Sequence, residues 1–250
     1  MKKYYLVVLV CLISVLISCS TVNKTKTKIK SKPAQVEKEL KFKELKYISL
    51  MTSIEYSNNG NSNEFVASIN QNNDTLGLKV LGPFSMVLAE LFSNKEQFFL
   101  LDKWNAVLYK GKPTKENFKK ALQIPISYQD IIGLIRCNPY GDISRFINDI
   151  KQNDTLKSYI YADATAKDSL WIAKRSNTIS RYVHKSTTAG ESYEVDYHYG
   201  ESTEYPDKIV FISGKNKLII AIDKFSLEKF TVKSIKIPDK AKVVDLDETK

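Results

Sequence analysis

At 250 residues with 43% hydrophobic content, the chain can build one sizeable core. Its 9 Gly and 7 Pro exclude collagen-like and low-complexity classes, and its 14 Tyr and 11 Phe lean toward strands. The formal charge of +10 suits either nucleic acid or an anionic membrane surface, and the N-terminus decides between them.

Residues 1–18 read as a secretory leader, with Lys2 and Lys3 before an apolar Leu6–Ile17 stretch too short for a stable membrane span. The leader ends in Leu16-Ile17-Ser18-Cys19, which resembles a bacterial lipobox and makes Cys19 the lipidation site. Several acyl chains there would hold the protein firmly on a membrane. Ser20, rather than an Asp, follows the Cys and favours the outer membrane, with the protein facing the periplasm. An envelope address removes nucleic acid from consideration. It also settles the cysteines: Cys11 leaves with the leader and Cys19 is acylated. Cys137 remains alone, as a reactive thiol or as a small buried hydrophobe among Ile131, Ile132, Leu134 and Ile135.

Residues 19–33 form a Lys-rich disordered tether. Its lysines either touch anionic head groups or simply keep it solvated. From Ala34 to Tyr47 a short amphipathic helix is expected, with Val36, Leu40 and Tyr47 on one face. Strands follow at 48–56, 64–71 and 76–80, the second alternating Phe65, Ala67 and Ile69 with Val66, Ser68 and Asn70. Residues 84–92 and 97–101 are apolar on both faces. Such strands need cover on both sides, or face a cavity on one side and a helix on the other. A strand at 105–112 leads into helices at 113–122, with Thr114 as N-cap, and 128–136. Strands then return from Leu156 to a last one at 230–238, before a polar tail at 241–250. Meander, two helices, meander predicts a mainly β fold with some α: an unclosed antiparallel barrel with helices at its mouth.

The ordered series "LGPFS" (81–85), "GKPTKENFKKAL" (111–122), "IPISYQDIIGLIRCNP" (124–139) and "YPDKIVFI…LIIAIDKFSLEKFTVKSIKIP" (205–238) resembles the LolA/LolB superfamily of periplasmic lipoprotein-handling proteins. It looks most like the LolB-type outer-membrane receptor, over residues 34–240. The resemblance implies an open barrel of about eleven strands with a helical lid over an apolar cavity that receives the acyl chains of lipoproteins. It also implies an apolar residue exposed on the loop after the third strand, which falls on Phe84, flanked by Pro83 and Leu81. Phe84 is then either a membrane-dipping wedge, with about 1.5–3 kcal/mol from burying one Phe, or a side chain folded back to cap the barrel.

For the cavity wall the expected residues are Phe65, Ile69, Leu76, Leu78, Val80, Met86, Leu88, Phe99 and Leu101, with Ile209, Phe211, Ile220 and Ile222 opposite. Phe118, Leu122, Ile131 and Ile135 are expected in the lid. Each of these can simply be core, and only the excess of two-sided apolar strands argues for a cavity. His184 and His198 have no Cys or carboxylate at ligand spacing and are read as surface residues, with no metal site and no cofactor. Asp163 and Asp168 are read as turn carboxylates without an apolar setting. No catalytic constellation is found. Two functions remain. One is a monomeric, non-enzymatic acceptor that takes lipoproteins from a soluble periplasmic carrier and places them in the outer membrane. The other is an envelope lipoprotein using the same fold for a different hydrophobic ligand or as an interaction platform. A third reading has the basic tether and Tyr-rich strands binding a partner protein.

Overall fold

The computed structural model describes residues 45–122, 126–138, 143–149, 153–188, 191–200 and 204–248. The leader, Cys19, the tether and the expected helix as far as residue 44 lie outside these. Tyr47, expected to end that helix, instead begins the first strand.

Six strands come first: β1 (Tyr47–Asn58), β2 (Asn61–Asn72), β3 (Thr75–Leu81), β4 (Val87–Ser93), β5 (Phe98–Asp102) and β6 (Val107–Gly111). Two helices follow, α1 (Lys115–Leu122) and α2 (Tyr128–Ile135). The second meander comprises β7 (Ile147–Asn148), β8 (Leu156–Ala162), β9 (Ala166–Ala173), β10 (Thr178–Ser186), β11 (Tyr193–His198), β12 (Lys208–Ser213) and β13 (Asn216–Ser226), and β14 (Lys242–Asp245) closes the series. Among the described residues these make one unclosed sheet of fourteen strands rather than about eleven, ordered β14-β6-β5-β4-β3-β2-β1-β13-β12-β11-β10-β9-β8-β7.

The hairpin joining β1 to β2 turns on Asn59-Gly60, with φ of 51° and 87°. Left-handed geometry at both positions suits an Asn-Gly pair and matches the twist of the flanking strands. Register shifts at Met51/Thr52, Val80/Leu81 and Ile179/Arg181 bend the sheet. Its inner face carries the buried Ile48, Leu50 and Ile54 of β1 and Ala67 and Ile69 of β2.

Two expectations about the C-terminal part are corrected. Residues 227–241 form no strand, although Ile235 and Ile237 alternate with Lys. They carry the chain from β13, beside β1, to β14, beside β6. That crossing spans seven inter-strand steps, at most roughly 34 Å at about 4.8 Å each, which is too far for fifteen residues coiled as a helix and well within their extended reach of about 50 Å. A segment running across strands cannot pair along them. It is fastened instead by Asn72 Nδ2 donating to Phe230 O at 3.1 Å, and by the edge of Phe230 against Tyr47 at 6.0 Å. Val232 lies over Gly77, where a Cβ would come within 2.8 Å of Val232 Cγ1.

The last residues, expected as a polar tail, add β14 parallel to β6 and bury Leu246. Asp247 accepts from the Lys112 backbone N–H and from Asn117 Nδ2 at 2.7 Å, and Lys120 Nζ donates to Leu246 O, so this end of the chain fixes α1. Leu246→Ala should therefore destabilise the protein by about 2–4 kcal/mol, read as a lower urea midpoint. A tail residue would leave the midpoint unchanged.

Candidate functional site

The inner face of β1–β6 and β13 does not close on itself. It leaves a cavity of about 280 Å³ roofed by α1 and α2. The strands contribute mainly Leu and Ile, and the helices add Ala121, Leu122, Ile131, Leu134 and Ile135. Asp102 is the single charged residue on the wall. Its carboxylate is taken up by its own turn, accepting from the backbone N–H of Asn105 at 3.0 Å and from Asn105 Nδ2 at 2.7 Å. A site of this chemistry can hold an apolar ligand but offers no acid–base pair to act on one.

The lid is held from one end. Ser127 caps α2, accepting from Asp130 N–H while the Asp130 carboxylate accepts from Ser127 N–H at 2.8 Å, a reciprocal capping box. At the β2–β3 turn, Tyr128 donates its hydroxyl hydrogen bond to Asp74 O, and Arg136 reaches Asn73 O and Gln71 Oε1. Phe118 of α1 lies on Phe98 with ring centroids 4.5 Å apart. At the opposite end of these strands the wall finishes at Val80, Ala89 and Asp102, which are register neighbours across β3, β4 and β5.

That far end carries the turn of the "LGPFS" stretch. Phe84 is 100% exposed, so it does not fold back over the barrel. Phe84 and Ser85 adopt φ of 56° and 59°, a left-handed geometry that costs an ordinary residue roughly 1–2 kcal/mol. Gly82 N–H donates to Met86 O at 2.8 Å and Met86 N–H to Pro83 O at 3.2 Å, which closes the turn. Leu88 sits where a Cβ of residue 82 would be, 2.9 Å from its ideal position. Leu81 is half-buried at the base of the turn, and Pro83 is exposed beside Phe84.

Of the expected wall, Phe65, Ile69, Leu76, Leu78, Val80 and Ile220 line the cavity, and so do Leu122, Ile131 and Ile135 of the lid. The others do not. Phe99 and Leu101 point to the opposite face of β5, and Leu100 between them lines the cavity. Met86 belongs to the turn and is exposed, Leu88 packs on Gly82, and the shift at Val80/Leu81 brings Ala89 and Leu91 inward instead. Ile209 and Phe211 are buried under the second meander, where Phe211 meets Tyr193 at 5.4 Å. Ile222 packs half-buried against the core, and Phe118 is fully buried beneath α1. Ile54 was legible in the alternation of "ISLMTSIEY". Tyr109, Leu134 and Leu218 carried no distinguishing signal.

Polar groups gather under the second meander instead. His184 is not a surface residue: its Nδ1 lies 2.7 Å from Asp168 Oδ1, both side chains are mostly buried, and the Tyr193 ring flanks the imidazole at 5.0 Å. Asp168 likewise is buried rather than a turn carboxylate. Burial holds Tyr193 and Tyr182 protonated far above the usual tyrosine range, reinforced at Tyr193 by the Tyr182 phenol and at Tyr182 by the Asp168 carboxylate. Cys137 is buried and its thiol is pushed up by desolvation, which makes it an inert core residue. Among the described residues no group of three or more potential metal ligands occurs, and no helix is long and apolar enough to cross a membrane.

No family model matches the chain, and no curated protein matches it by sequence. Solved structures do. A LolA superfamily protein from Nitrosomonas europaea superposes with a TM-score of 0.53 at 10% identity, over 80% of this chain and 95% of that one. The chain has the LolA/LolB fold. A putative outer membrane lipoprotein-sorting protein domain from Vibrio parahaemolyticus gives 0.51 at 8% identity, covering 77% and 88%. A DUF1329 family protein from Desulfovibrio piger gives 0.53 at 7%, covering 76% and 89%. In this chain the sheet stays unclosed and the two helices roof the cavity on its inner face.

The lid anchor is testable through Tyr128. Burial, then the nearby Asp74 charge, raises its phenol from 10.0 to about 12, against a weaker opposite pull from Arg136. The unfolded chain thus releases this proton first. The contribution is complete below pH 10 and is lost as pH rises toward about 12. Tyr128→Phe should cost about 1 kcal/mol at neutral pH and reduce the fall in stability above pH 10, both measured by urea unfolding.

Proposed function

We propose that this chain is an outer-membrane-anchored, non-enzymatic lipoprotein that takes the acyl chains of other lipoproteins into the apolar cavity and delivers them to the membrane. The observation that supports it best is the pairing of that cavity with a fully exposed Phe84 at the same end of the sheet. In this reading Cys19 carries the anchor, and residues 19–33 tether a domain that runs from residue 34 through β14 and Leu246. The protein works as a monomer on the periplasmic face and receives cargo from a soluble carrier. Leu81 and Pro83 position Phe84 as the wedge. The structural relatives described as a LolA superfamily protein and as a putative lipoprotein-sorting domain support the same reading.

A second reading rests on size. A cavity of 280 Å³ lies just below the range of about 300–1,000 Å³ usual for ligand pockets. That favours a single chain, or a smaller hydrophobic ligand, over a complete lipid anchor.

Mass spectrometry of material co-purifying from the native host separates the two. Acylated peptides should accompany the wild type and be lost from Leu100→Trp, whose indole fills the cavity. Phe84→Glu should still bind them but fail to pass them to liposomes. An empty cavity or one holding only free lipid, with Phe84→Glu behaving as wild type, rejects delivery and leaves a binding protein for another ligand.

A further inference from the structure

Phe84 is not the only apolar side chain at that end. The turn between β5 and β6 carries Trp104, 80% exposed. It adjoins the Phe84 turn, because Lys103 N–H donates to Leu88 O at 2.9 Å just beyond the Ala89↔Asp102 pair. The two tips are therefore separated by about two inter-strand spacings of roughly 4.8 Å. The crossing segment arrives at the same place: Lys242 N–H donates to Ala106 O at 2.9 Å, and Ala241 N–H to Pro238 O. Ile237, just before that bend, is 50% exposed, and Met86 beside Phe84 is 53% exposed.

Both hairpin tips close on hydrogen bonds of their own residues, and Lys103 of the second also pairs with Glu90 of β4 at 2.7 Å. Asp102 accepts twice from Asn105 across the Trp104 turn, and Ala106 takes the left-handed geometry that ends it. The sequence around Ile237 supplies Lys236, Lys240 and Lys242 against a single carboxylate, Asp239.

We propose that the β5–β6 turn is a second bilayer contact, with Trp104 at headgroup depth beside a deeper Phe84 and with Lys240 and Lys242 set against anionic headgroups. This deepens the delivery reading and rests on its wedge. Trp is the side chain best suited to the membrane–water interface, where its ring meets the acyl boundary and its N–H remains hydrated. Lysines close to an anionic leaflet add attraction. A protein partner fits less well. A stable interface needs roughly 800 Å² per side with packed, complementary surfaces, whereas these side chains stand on separate turn tips. A fluid bilayer accepts separate projections without a matching shape. Two contacts on adjacent turns also fix the tilt of the domain, which one prong cannot. With both seated, the Val80–Ala89–Asp102 end of the cavity faces the membrane.

The test uses the full chain reconstituted in phosphatidylcholine–phosphatidylglycerol vesicles whose acyl chains are brominated at shallow or deep positions. In Trp171→Phe, Trp104 is the sole indole. Its emission should shift to the blue and be quenched most by shallow bromines. In a parallel chain with Trp104→Phe, Trp171→Phe and Phe84→Trp, the indole at 84 should be quenched most by deep bromines. Quenching at both positions supports the proposal. Quenching at 84 but not at 104 overturns the second contact and spares the wedge. Quenching at 104 alone overturns the wedge and keeps a bilayer contact at the β5–β6 turn. Emission unchanged at both overturns both and leaves this rim to a protein. If Trp171→Phe does not fold, fluorotryptophan NMR of the otherwise unaltered chain, with a spin-labelled lipid broadening the Trp104 signal, answers the same question.

Discussion

Strand β1 holds the molecule together. It is hydrogen-bonded along both edges, through twelve register pairs with β2 and ten with β13. The second ladder joins residues 49–58 to 216–226, so two meanders that fold on their own local hairpins become one sheet only through β1. The cavity depends on this seam as well. Ile54 faces Phe65 on one side and Ile220 on the other, and all three line the wall. Thr52 is fully buried between Ala67 and Ile222 and satisfies its hydroxyl on Ala67 O at 3.1 Å, so the seam leaves that polar group paired.

On either side of this strand the core has two characters. The first meander is filled with aliphatic side chains and leaves space beneath the helices. The second is filled with rings: Tyr182, Tyr193, Tyr197 and Tyr205 with Phe146 and Phe211, all half-buried or buried. Tyrosines occupy volume while keeping a hydroxyl that needs a partner, and Tyr205 donates to Ile135 O at the end of α2. The ring-filled half thus grips the C-terminal end of the lid helix, and Tyr128 and Arg136 grip it from the β2–β3 turn. An element fixed at these points can cover a void that is not itself filled.

How much of this could be read from the residues depended on whether the pattern distinguished the two faces of a strand. In β2 it did: Phe65, Ala67 and Ile69 alternate with a set that is polar apart from the exposed Val66, and the apolar set faces inward. In β5 the run Phe98-Phe99-Leu100-Leu101 is apolar throughout, so alternation carries no information about which pair faces the cavity. In β4 the bulge at Val80/Leu81 displaced the parity by one residue, which no local composition reveals. Residues 230–238 have the period of a strand and serve as a crossing, because their direction is set by where β14 docks. The approach of Asp168 to His184 is a cross-strand pairing between β9 and β10, invisible to a search for ligands spaced along the chain. The order of the helices and meanders was legible because it rests on runs of residues rather than on parity.

The parallel pairing of β14 with β6 also dictates an order of assembly. β6 can be completed by its hairpin with β5 as soon as both exist, yet its outer edge stays unpaired until residues more than a hundred positions later arrive to seal it. An open edge of this kind invites pairing with other chains. Contacts of such long sequence separation form late because the intervening loop must be closed first. A chain emerging from its N-terminal end would therefore have the outer edge of β6 open throughout the emergence of the second meander. Truncation before Lys242 would leave that edge permanently open and prone to edge-to-edge aggregation.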